Sequence, residues 1–363
     1  MRLARLLRLA VTGAGAAALF LVCAGEALAA NCRPASGLST CIDADDLWPH
    51  AGGGPFFAVG ATTTTPRGHI AFGLVGSWLT QPIGLGVASA DPRGSTVFAV
   101  DKILDASLLF AVGVADRLEL TLVVPAALYQ DGPGLAGTVG AGPALPRAAL
   151  RDVRAGFALA LVARPRAGER RGPALTARFE VGIPVGTGSS FAGSPTAVAA
   201  PSLVFDYRLG RFDLAAEAFA RVRGEARLAS AVVGTQIGGA LGATVDVLSD
   251  RWLTVGAEAF ALPTIAAQLR DPHAAPDPRG PAVGPPLVPA EWIASVSSAR
   301  LRGGDVVLSL GGGSSIPTGA RAALTSPRYR LDFGVRYAPT GRAGDGDRTP
   351  RIATTREGDS DPR

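Results

Sequence analysis

The chain of 363 residues lacks features that define several protein classes. Three cysteines are too few for a disulfide scaffold in so long a chain. Charged residues make up only 18%, below the roughly 25% of typical soluble domains, and the 47% apolar content excludes intrinsic disorder. After the first 30 residues no run of about 18 apolar residues follows, which excludes a helical membrane protein. With a mean hydropathy of +0.27, the chain has to bury its apolar surface in short segments, which indicates β-structure.

The first 29 residues have the pattern of a secretory signal peptide. Arginines precede an apolar stretch from Ala10 to Cys23, and Ala27-Leu28-Ala29 matches an A-x-A cleavage site. We therefore expect residues 1–29 to be removed on export. Export favours a disulfide between Cys32 and Cys41, whereas no further cysteine or histidine pair completes a four-ligand metal set.

Twelve segments between Gly68 and Pro339 alternate apolar residues with polar or small ones. Such alternation with a period of two predicts half-exposed β-strands. The predicted strands are 68–79, 97–114, 117–129, 151–164, 173–185, 197–208, 211–223, 231–248, 251–264, 290–301, 305–316 and 327–339.

The connections between these segments alternate in length. Those after every second segment are short, whereas the others are mostly longer and rich in glycine, proline and alanine. An antiparallel transmembrane barrel has this pattern, with short periplasmic turns and longer outer loops. We therefore predict an all-β fold, a transmembrane antiparallel up-and-down β-barrel of about 12 strands, over residues 68–340.

Alternate positions of the predicted strands differ in chemistry. In residues 329–337 every odd position is aromatic or aliphatic, and the even positions are Arg330, Asp332, Gly334 and Arg336. Because successive side chains of a strand point to opposite faces, one face is apolar and the other carries charges of both signs. The charged face also contains much glycine and alanine, as a crowded lumen requires. We therefore predict that the apolar face points outward, toward lipid.

Tryptophan and tyrosine are concentrated at the ends of the predicted strands. Amphipathic rings at the boundary between apolar and polar surface form the aromatic girdles of membrane barrels. The predicted girdle consists of Trp78, Tyr129, Tyr207, Trp252, Trp292, Tyr329 and Tyr337.

The charged residues of the inward face are the candidate functional residues. Eight strands give a lumen filled by side chains and sixteen give an aqueous channel, so twelve lies between. The charges can line a narrow pore, where rings of charge set selectivity, or pair into a rigid plug. The predicted pore-lining residues are Asp105, Arg117, Glu119, Arg154, Arg178, Glu180, Asp206, Asp213, Glu217, Arg221, Asp246, Glu258, Arg330, Asp332 and Arg336.

Two pieces are predicted to lie outside the barrel. Residues 30–67 would form an N-terminal periplasmic lead with the loop closed by the cysteine pair and with three acids, Asp43, Asp45 and Asp46. These acids and His50 could hold a metal, but three acids in a short loop are more often solvated, and we predict neither metal nor cofactor. Residues 341–363 lack an apolar face and are predicted to be a disordered C-terminal tail.

Signals for catalysis are weak. A barrel hydrolase needs a serine, a histidine and an orienting group, and the chain has only His50, His69 and His273. No serine lies two residues from His69, where it would share a face of the same strand. A serine on a neighbouring strand remains an alternative partner. We predict no catalytic residues and no enzyme activity.

Several motifs give the stretch from Cys41 to Pro339 a family resemblance. It resembles the barrel halves of outer-membrane-protein-A-like chains of Gram-negative bacteria, and outer-membrane transporters assigned to the meta-pathway of phenol degradation. The resemblance implies an outer-membrane barrel and says little about its solute. It rests on Ile42-Asp43-Ala44, Leu47-Trp48, Val97-Phe98-Ala99-Val100-Asp101, Asp116-Arg117-Leu118-Glu119-Leu120, Leu128-Tyr129-Gln130, Arg151-Asp152-Val153-Arg154, Val185-Gly186-Thr187-Gly188 and Phe333-Gly334-Val335-Arg336-Tyr337-Ala338-Pro339.

We therefore expect a monomer in the outer membrane of a Gram-negative cell envelope, surrounded by lipid. Its expected function is that of a porin-like narrow channel or transporter for small solutes, with a charged lumen. The alternative is a closed structural or adhesive barrel whose outer loops, 130–150 and 266–290, bind a partner. The net charge of +5 gives no argument for a nucleic-acid partner.

Overall fold

The computed structural model of the protein describes residues 38–87, 95–139, 144–164, 171–247, 253–269, 284–298, 305–318 and 324–339. The predicted signal peptide, Cys32, Trp252, His273 and the predicted C-terminal tail lie outside these residues. No helix among them is long and apolar enough to span a membrane. The one α-helix of the described part, α1, covers Gly134–Val139.

Twelve antiparallel strands form a closed barrel. Each pairs with its neighbours in the chain, and the first pairs with the last through Phe72–Tyr337 to Thr80–Tyr329. The strands are β1 (Ile70–Val87), β2 (Ser95–Ala115), β3 (Leu118–Asp131), β4 (Val153–Val162), β5 (Arg171–Ile183), β6 (Val198–Leu209), β7 (Phe212–Arg221), β8 (Gln236–Asp246), β9 (Leu253–Ala261), β10 (Ala290–Ser298), β11 (Val306–Ser315) and β12 (Tyr329–Tyr337). This confirms the predicted all-β antiparallel barrel, and each predicted segment overlaps one strand.

The predicted segment 231–248 extends furthest beyond its strand. The alternation over 231–248 continues into β8 only from Gln236, whereas Ala231–Val233 pairs with Ala226–Leu228 in a separate short hairpin. Ala229, in the turn of that hairpin, has a φ of 53°. This hairpin belongs to the connection between β7 and β8.

The connections separate by length onto the two ends of the barrel. The connections after β2, β4, β6, β8 and β10 lie at one end, the short-turn end, where Gly210 and Arg211 alone join β6 to β7. Most connections at the other end, the long-loop end, are longer, with 13 or more residues in all but the one between β1 and β2. Strands β1 and β2 are the longest, with 18 and 21 residues, and their paired tips extend over the long-loop end.

The two faces of the barrel have the predicted orientation. Large apolar side chains such as Phe72, Leu214 and Leu241 are more than half exposed on the outer face. The polar face points inward, where Glu119 and Asp332 have 0% exposure. An apolar outside around a charged inside is the arrangement of a barrel whose solvent is lipid.

Candidate functional site: the occupied lumen

Residues 38–66, the inner segment, run through the lumen from one end to the other. At the long-loop end the Ser39 N–H donates to the Arg227 carbonyl at 2.7 Å. At the short-turn end Arg67 forms a bridge with Gly113, and the Gly68 N–H donates to the Gly113 carbonyl at 2.8 Å. This differs from the expected periplasmic lead: the segment lies inside the barrel because inward-facing charges from most of the strands bind it.

Three inward carboxylates accept backbone N–H groups of the inner segment. Glu258 on β9 accepts three consecutive amides, those of Phe57 (2.8 Å), Ala58 (2.7 Å) and Val59 (3.2 Å). Glu217 accepts the Gly60 N–H and Glu119 the Thr65 N–H, both at 2.7 Å. Bonds to a charged acceptor are shorter and stronger than neutral ones.

Inward arginines donate to the carbonyl oxygens of the same segment. Their contacts are Arg336 to Gly54 and Phe56 (both 2.8 Å), Arg178 to Ala61 and Ala51 (both 3.2 Å), Arg154 to Pro49 (2.8 Å), Arg221 to Asp46 (2.9 Å) and Arg151 to Asp45 (2.8 Å). Buried irregular backbone has to find partners for both its donors and its acceptors. The charges of both signs on the wall supply them.

Aromatic residues of the inner segment fill the remaining space. The Trp48 ring contacts two guanidinium groups, with the Arg221 and Arg154 Cζ atoms 4.1 and 4.7 Å from its centroid. Such cation–π contacts are favourable where water is excluded. Phe57 is 2% exposed and packs against Gly311, where a Cβ would come within 2.9 Å of its ring.

The acids of the inner segment are buried and paired, which differs from the expectation that they are solvated. Arg330 on β12 donates to Asp45 at 2.5 Å and to Glu291 at 2.8 Å. Arg151, before β4, contacts Asp43 at 2.6 Å and Asp105 at 2.9 Å. Burial raises the pKa of Asp45, but the charges of Arg330 and Arg151 outweigh it, so this pKa is lowered.

Burial dominates at a neighbouring acid, Asp46. Its pKa is raised to about 6, because the lowering effect of Arg221, 3.9 Å away, is smaller than the cost of burying the charge. The pKa of Asp152, outside the strands at the long-loop end, is also raised to about 6, although its carboxylate accepts the Gly186 and Ser194 amides. These two acids therefore take up a proton at mildly acidic pH.

His50 lies between two carboxylates of the wall. Its Nδ1 is 3.1 Å from Glu180 and its Nε2 is 3.5 Å from Glu217. Burial lowers the pKa of His50, but the charges of Glu217 and Glu180 outweigh it, so the pKa is raised above its usual value. Both ring nitrogens are engaged, and His50 links the inner segment to β5 and β7.

An apolar cap covers the long-loop end of the lumen. Ile42 and Ala44 of the inner segment cluster there with Ile83 from β1 and with loop residues such as Phe191 and Leu228. Cys41, beside this cluster, is disulfide-bonded; its predicted partner Cys32 lies outside the described residues. The cap is a second buried cluster, distinct from the apolar residues inside the barrel.

Fourteen of the fifteen predicted pore-lining residues are buried on the inward face. They are Asp105, Glu119, Arg154, Arg178, Glu180, Asp206, Asp213, Glu217, Arg221, Asp246, Glu258, Arg330, Asp332 and Arg336. Arg117 is the exception and corrects its prediction: it is exposed in the two-residue turn between β2 and β3, at the rim. Whether the fourteen line a conducting path stays a prediction.

Six of the seven predicted girdle residues, all but Trp252, lie in the described part of the chain, near the two rims. Trp78 and Tyr129 stack at the long-loop end with ring centroids 6.4 Å apart, and Trp292 and Tyr329 are exposed on the outer face. At the short-turn end Tyr207 is exposed and Tyr337 stacks on Phe72 at 4.9 Å. Their anchoring at a lipid interface stays a prediction.

The sequence analysis missed Glu291 and the whole inner segment. Glu291, on β10, is 0% exposed and binds Arg330. Trp292, the next residue on the strand, points outward, so strand parity could have identified Glu291 as inward-facing. The inner segment has no such periodicity. The only sequence signal that it is buried is its content of apolar and aromatic residues, which a solvent-exposed lead would not need.

One small cavity lies beside the inner segment. A cavity of about 30 Å³, lined by Trp48, His50, Ser202, Glu217 and others, lies between it and strands β5 to β9; this is enough for one or two water molecules. Among the described residues, no three histidine, cysteine or carboxylate side chains are grouped to hold a metal ion.

Comparisons with known proteins place this architecture among outer-membrane barrels. No family model and no curated protein matches the sequence. The COG4313 outer membrane channel from Pseudomonas putida F1 is similar in structure, with 12% identity, a TM-score of 0.51, and coverage of 77% of this chain and 98% of that one. Two further structures have TM-scores too low to carry an argument. Salmonella typhi OmpF has 7% identity, a TM-score of 0.32 and coverage of 74% and 96%. Escherichia coli outer membrane phospholipase A has 10% identity, a TM-score of 0.33, and coverage of 84% of this chain and 100% of that one. The chain has the fold of an outer-membrane β-barrel.

Proposed function

We propose that this protein is a narrow channel of the Gram-negative outer membrane, exported by a cleaved signal peptide, whose lumen is closed by its own inner segment. The observation that carries the proposal is the bonding of the wall charges to the backbone of residues 45–65. Some of those charges also pair with one another, but seven of the fourteen bind the main chain of the inner segment. Release of the segment would expose them to water and leave a charged passage through twelve strands.

The charges on the wall favour cations. The fourteen buried inward residues named above comprise five arginines and nine carboxylates. Rings of carboxylates select cations in pores. We therefore propose a passage that prefers small cationic solutes, with the long loops facing outside the cell and the short turns facing the periplasm.

Planar-bilayer recording tests this function on three proteins. They are the mature chain, a variant without residues 30–66, and a variant in which a disulfide locks the inner segment to the wall. Gly53→Cys with Ala338→Cys supplies the lock, because a Cβ on Gly53 would lie 2.6 Å from the Ala338 Cβ and a small shift gives the roughly 3.8 Å of a disulfide. The lock is built on Cys32→Ser and Cys41→Ser, and the unlocked chain with both serines is its control.

The channel function predicts three results. The deletion variant conducts with cation preference, the mature chain opens rarely, and the locked variant stays silent until reductant is added. A correctly folded deletion variant without conductance, or with anion preference, would contradict the proposal. Equal conductance of the locked and reduced protein would show that the segment does not close the lumen.

A closed structural or adhesive barrel is the second candidate. The apolar cap favours it, because Ile42, Phe191 and Leu228 bury the long-loop end of the lumen. It predicts no conductance from the mature chain or from the reduced form of the locked variant, and partner binding that is lost when loop 130–150 or loop 266–290 is deleted. We propose no enzymatic role, since both ring nitrogens of His50 already face carboxylates.

A further inference from the structure

We propose that the lumen wall is a binding site for polypeptide backbone, and that the solutes of this barrel include peptides bearing an aromatic residue. The proposal rests on the channel function proposed above and names the class of solute. It follows from what the wall recognises in the inner segment, which is the main chain at most contacts.

The wall contacts match both halves of the peptide group. Five backbone N–H groups of the inner segment, those of residues 57 to 60 and of residue 65, donate to carboxylates of the wall. The acceptors are Glu258, Glu217 and Glu119. Carbonyl oxygens at residues 46, 49, 51, 54, 56 and 61 bind inward arginines. Because these bonds go to the main chain, most of them do not depend on the identity of the side chain.

The wall also places its donors next to its acceptors. Arg178 is 3.8 Å from Glu119, and Arg154 is 3.2 Å from Glu180. Carboxylates only accept hydrogen bonds and guanidinium groups only donate them. A chain that presents donors and acceptors in alternation therefore satisfies this wall, whereas a polyether, which only accepts, leaves its carboxylates unpaired.

Two features of the wall receive aromatic side chains. The guanidinium groups of Arg154 and Arg221 both contact the Trp48 ring. Gly242 and Gly311 open the wall beside the rings of Phe56 and Phe57, where a Cβ would come within 2.6 and 2.9 Å of them. A peptide with one aromatic residue can use these places once the segment has left them.

The inner segment competes with any added peptide, because it is tethered to β1. When only a fraction of molecules is open, the apparent dissociation constant rises in inverse proportion to that fraction. We therefore use the full chain with Trp48→Ala and Phe57→Ala, which loosens the segment without changing the wall. Folding is checked by heat-modifiable mobility, and the single Trp48→Ala variant replaces the double variant where the latter does not fold.

Three fluorescent probes test the recognition by anisotropy in detergent micelles. The first is a peptide with the sequence of residues 45–65. The second is the same peptide with methylated amides at the positions of Ala58, Gly60 and Thr65, which removes donors to Glu258, Glu217 and Glu119. The third is a polyethylene glycol of similar contour length. We expect the first to bind about tenfold or more tightly than the second, and the third not to bind.

Two outcomes would overturn the inference: equal binding of the two peptides, or binding of neither to the folded variant. Adding Glu258→Ala to the loosened chain should reduce the difference between the peptides, since it removes one of the acceptors concerned. Bilayer recordings of the loosened chain separate the two proposals. Currents without peptide binding would support the channel function and contradict the peptide site. Peptide binding without currents would support the peptide site and contradict the channel function.

Discussion

The carboxylate of Glu258 accepts the backbone N–H of Phe57 at 2.8 Å, across 201 positions of sequence. Glu258 lies on the ninth strand and Phe57 on a segment that precedes the first. The bond therefore joins the barrel wall to the chain that fills it. Contacts of this kind make the inner segment part of the folded lumen and set how readily it leaves.

Removing the Glu258 carboxylate should free the middle of the inner segment. Glu258→Ala leaves the amides of Phe57, Ala58 and Val59 without their acceptor, and an unsatisfied buried donor costs about 1–3 kcal/mol. We expect hydrogen exchange of these amides to rise by about tenfold or more, measured by mass spectrometry of the peptide that contains them.

Asp246→Ala is the matched control for this variant. Asp246 is a buried inward carboxylate on β8, and its side chain accepts the Thr254 hydroxyl of the next strand at 2.8 Å. Its removal should leave exchange at residues 57–59 unchanged. The same acceleration in both variants would mean that Glu258 acts through the barrel as a whole and not by holding the segment.

Strand parity predicted from the sequence which side chains face inward, but not what they contact. Alternation places Glu258 and Arg330 on the inner face because a strand has a period of two. Their partners Phe57 and Asp45 belong to a segment without periodicity, and no local pattern encodes a contact across so much sequence. Charges of both signs were compatible with mutual pairing, and the structure uses seven of the fourteen buried ones to bind a buried main chain.

The interior of the barrel depends on Arg330. This guanidinium is 1% exposed and contacts the carboxylates of Asp45, Glu291 and Asp332. Arg330→Met removes the cation that three buried acids share, and breaking a buried ion pair from one side costs about 3–5 kcal/mol. We expect a loss of this size in the free energy of unfolding, measured by urea titration in lipid vesicles.

A compensating variant tests the cause of that loss. Arg330→Met combined with Asp45→Asn and Glu291→Gln removes two of the stranded charges. We expect it to regain part of the lost stability, because neutral amides cost less to bury than unpaired carboxylates. If the triple variant is no more stable than Arg330→Met, the loss comes from packing and not from charge.

Charge on the outer face should be costly only at mid-depth. Leu241 stands in the middle of β8 and Ile237 near its long-loop end, and both are outward-facing with 66% and 57% exposure. Arginine at the bilayer midplane costs about 2–4 kcal/mol and near the interface about 0–1. We therefore expect Leu241→Arg to lower the unfolding free energy in lipid vesicles and Ile237→Arg to leave it nearly unchanged. Equal losses of unfolding free energy in the two variants would contradict the assignment of Leu241 to the bilayer midplane and of Ile237 to the interface.

Alkaline pH should loosen the inner segment through His50. Its pKa is raised because Glu217 and Glu180 outweigh the opposing effect of burial. The protonated ring therefore contributes stability that is complete below its ordinary pKa of about 6.5 and is lost as the pH rises through the higher value of the folded protein. We expect proteolysis of the inner segment to accelerate as the pH rises above about 6.5. His50→Gln keeps a polar side chain but cannot titrate, so its rate should lose this acceleration once the pH dependence of the protease is subtracted. An unchanged profile would assign the effect to another group.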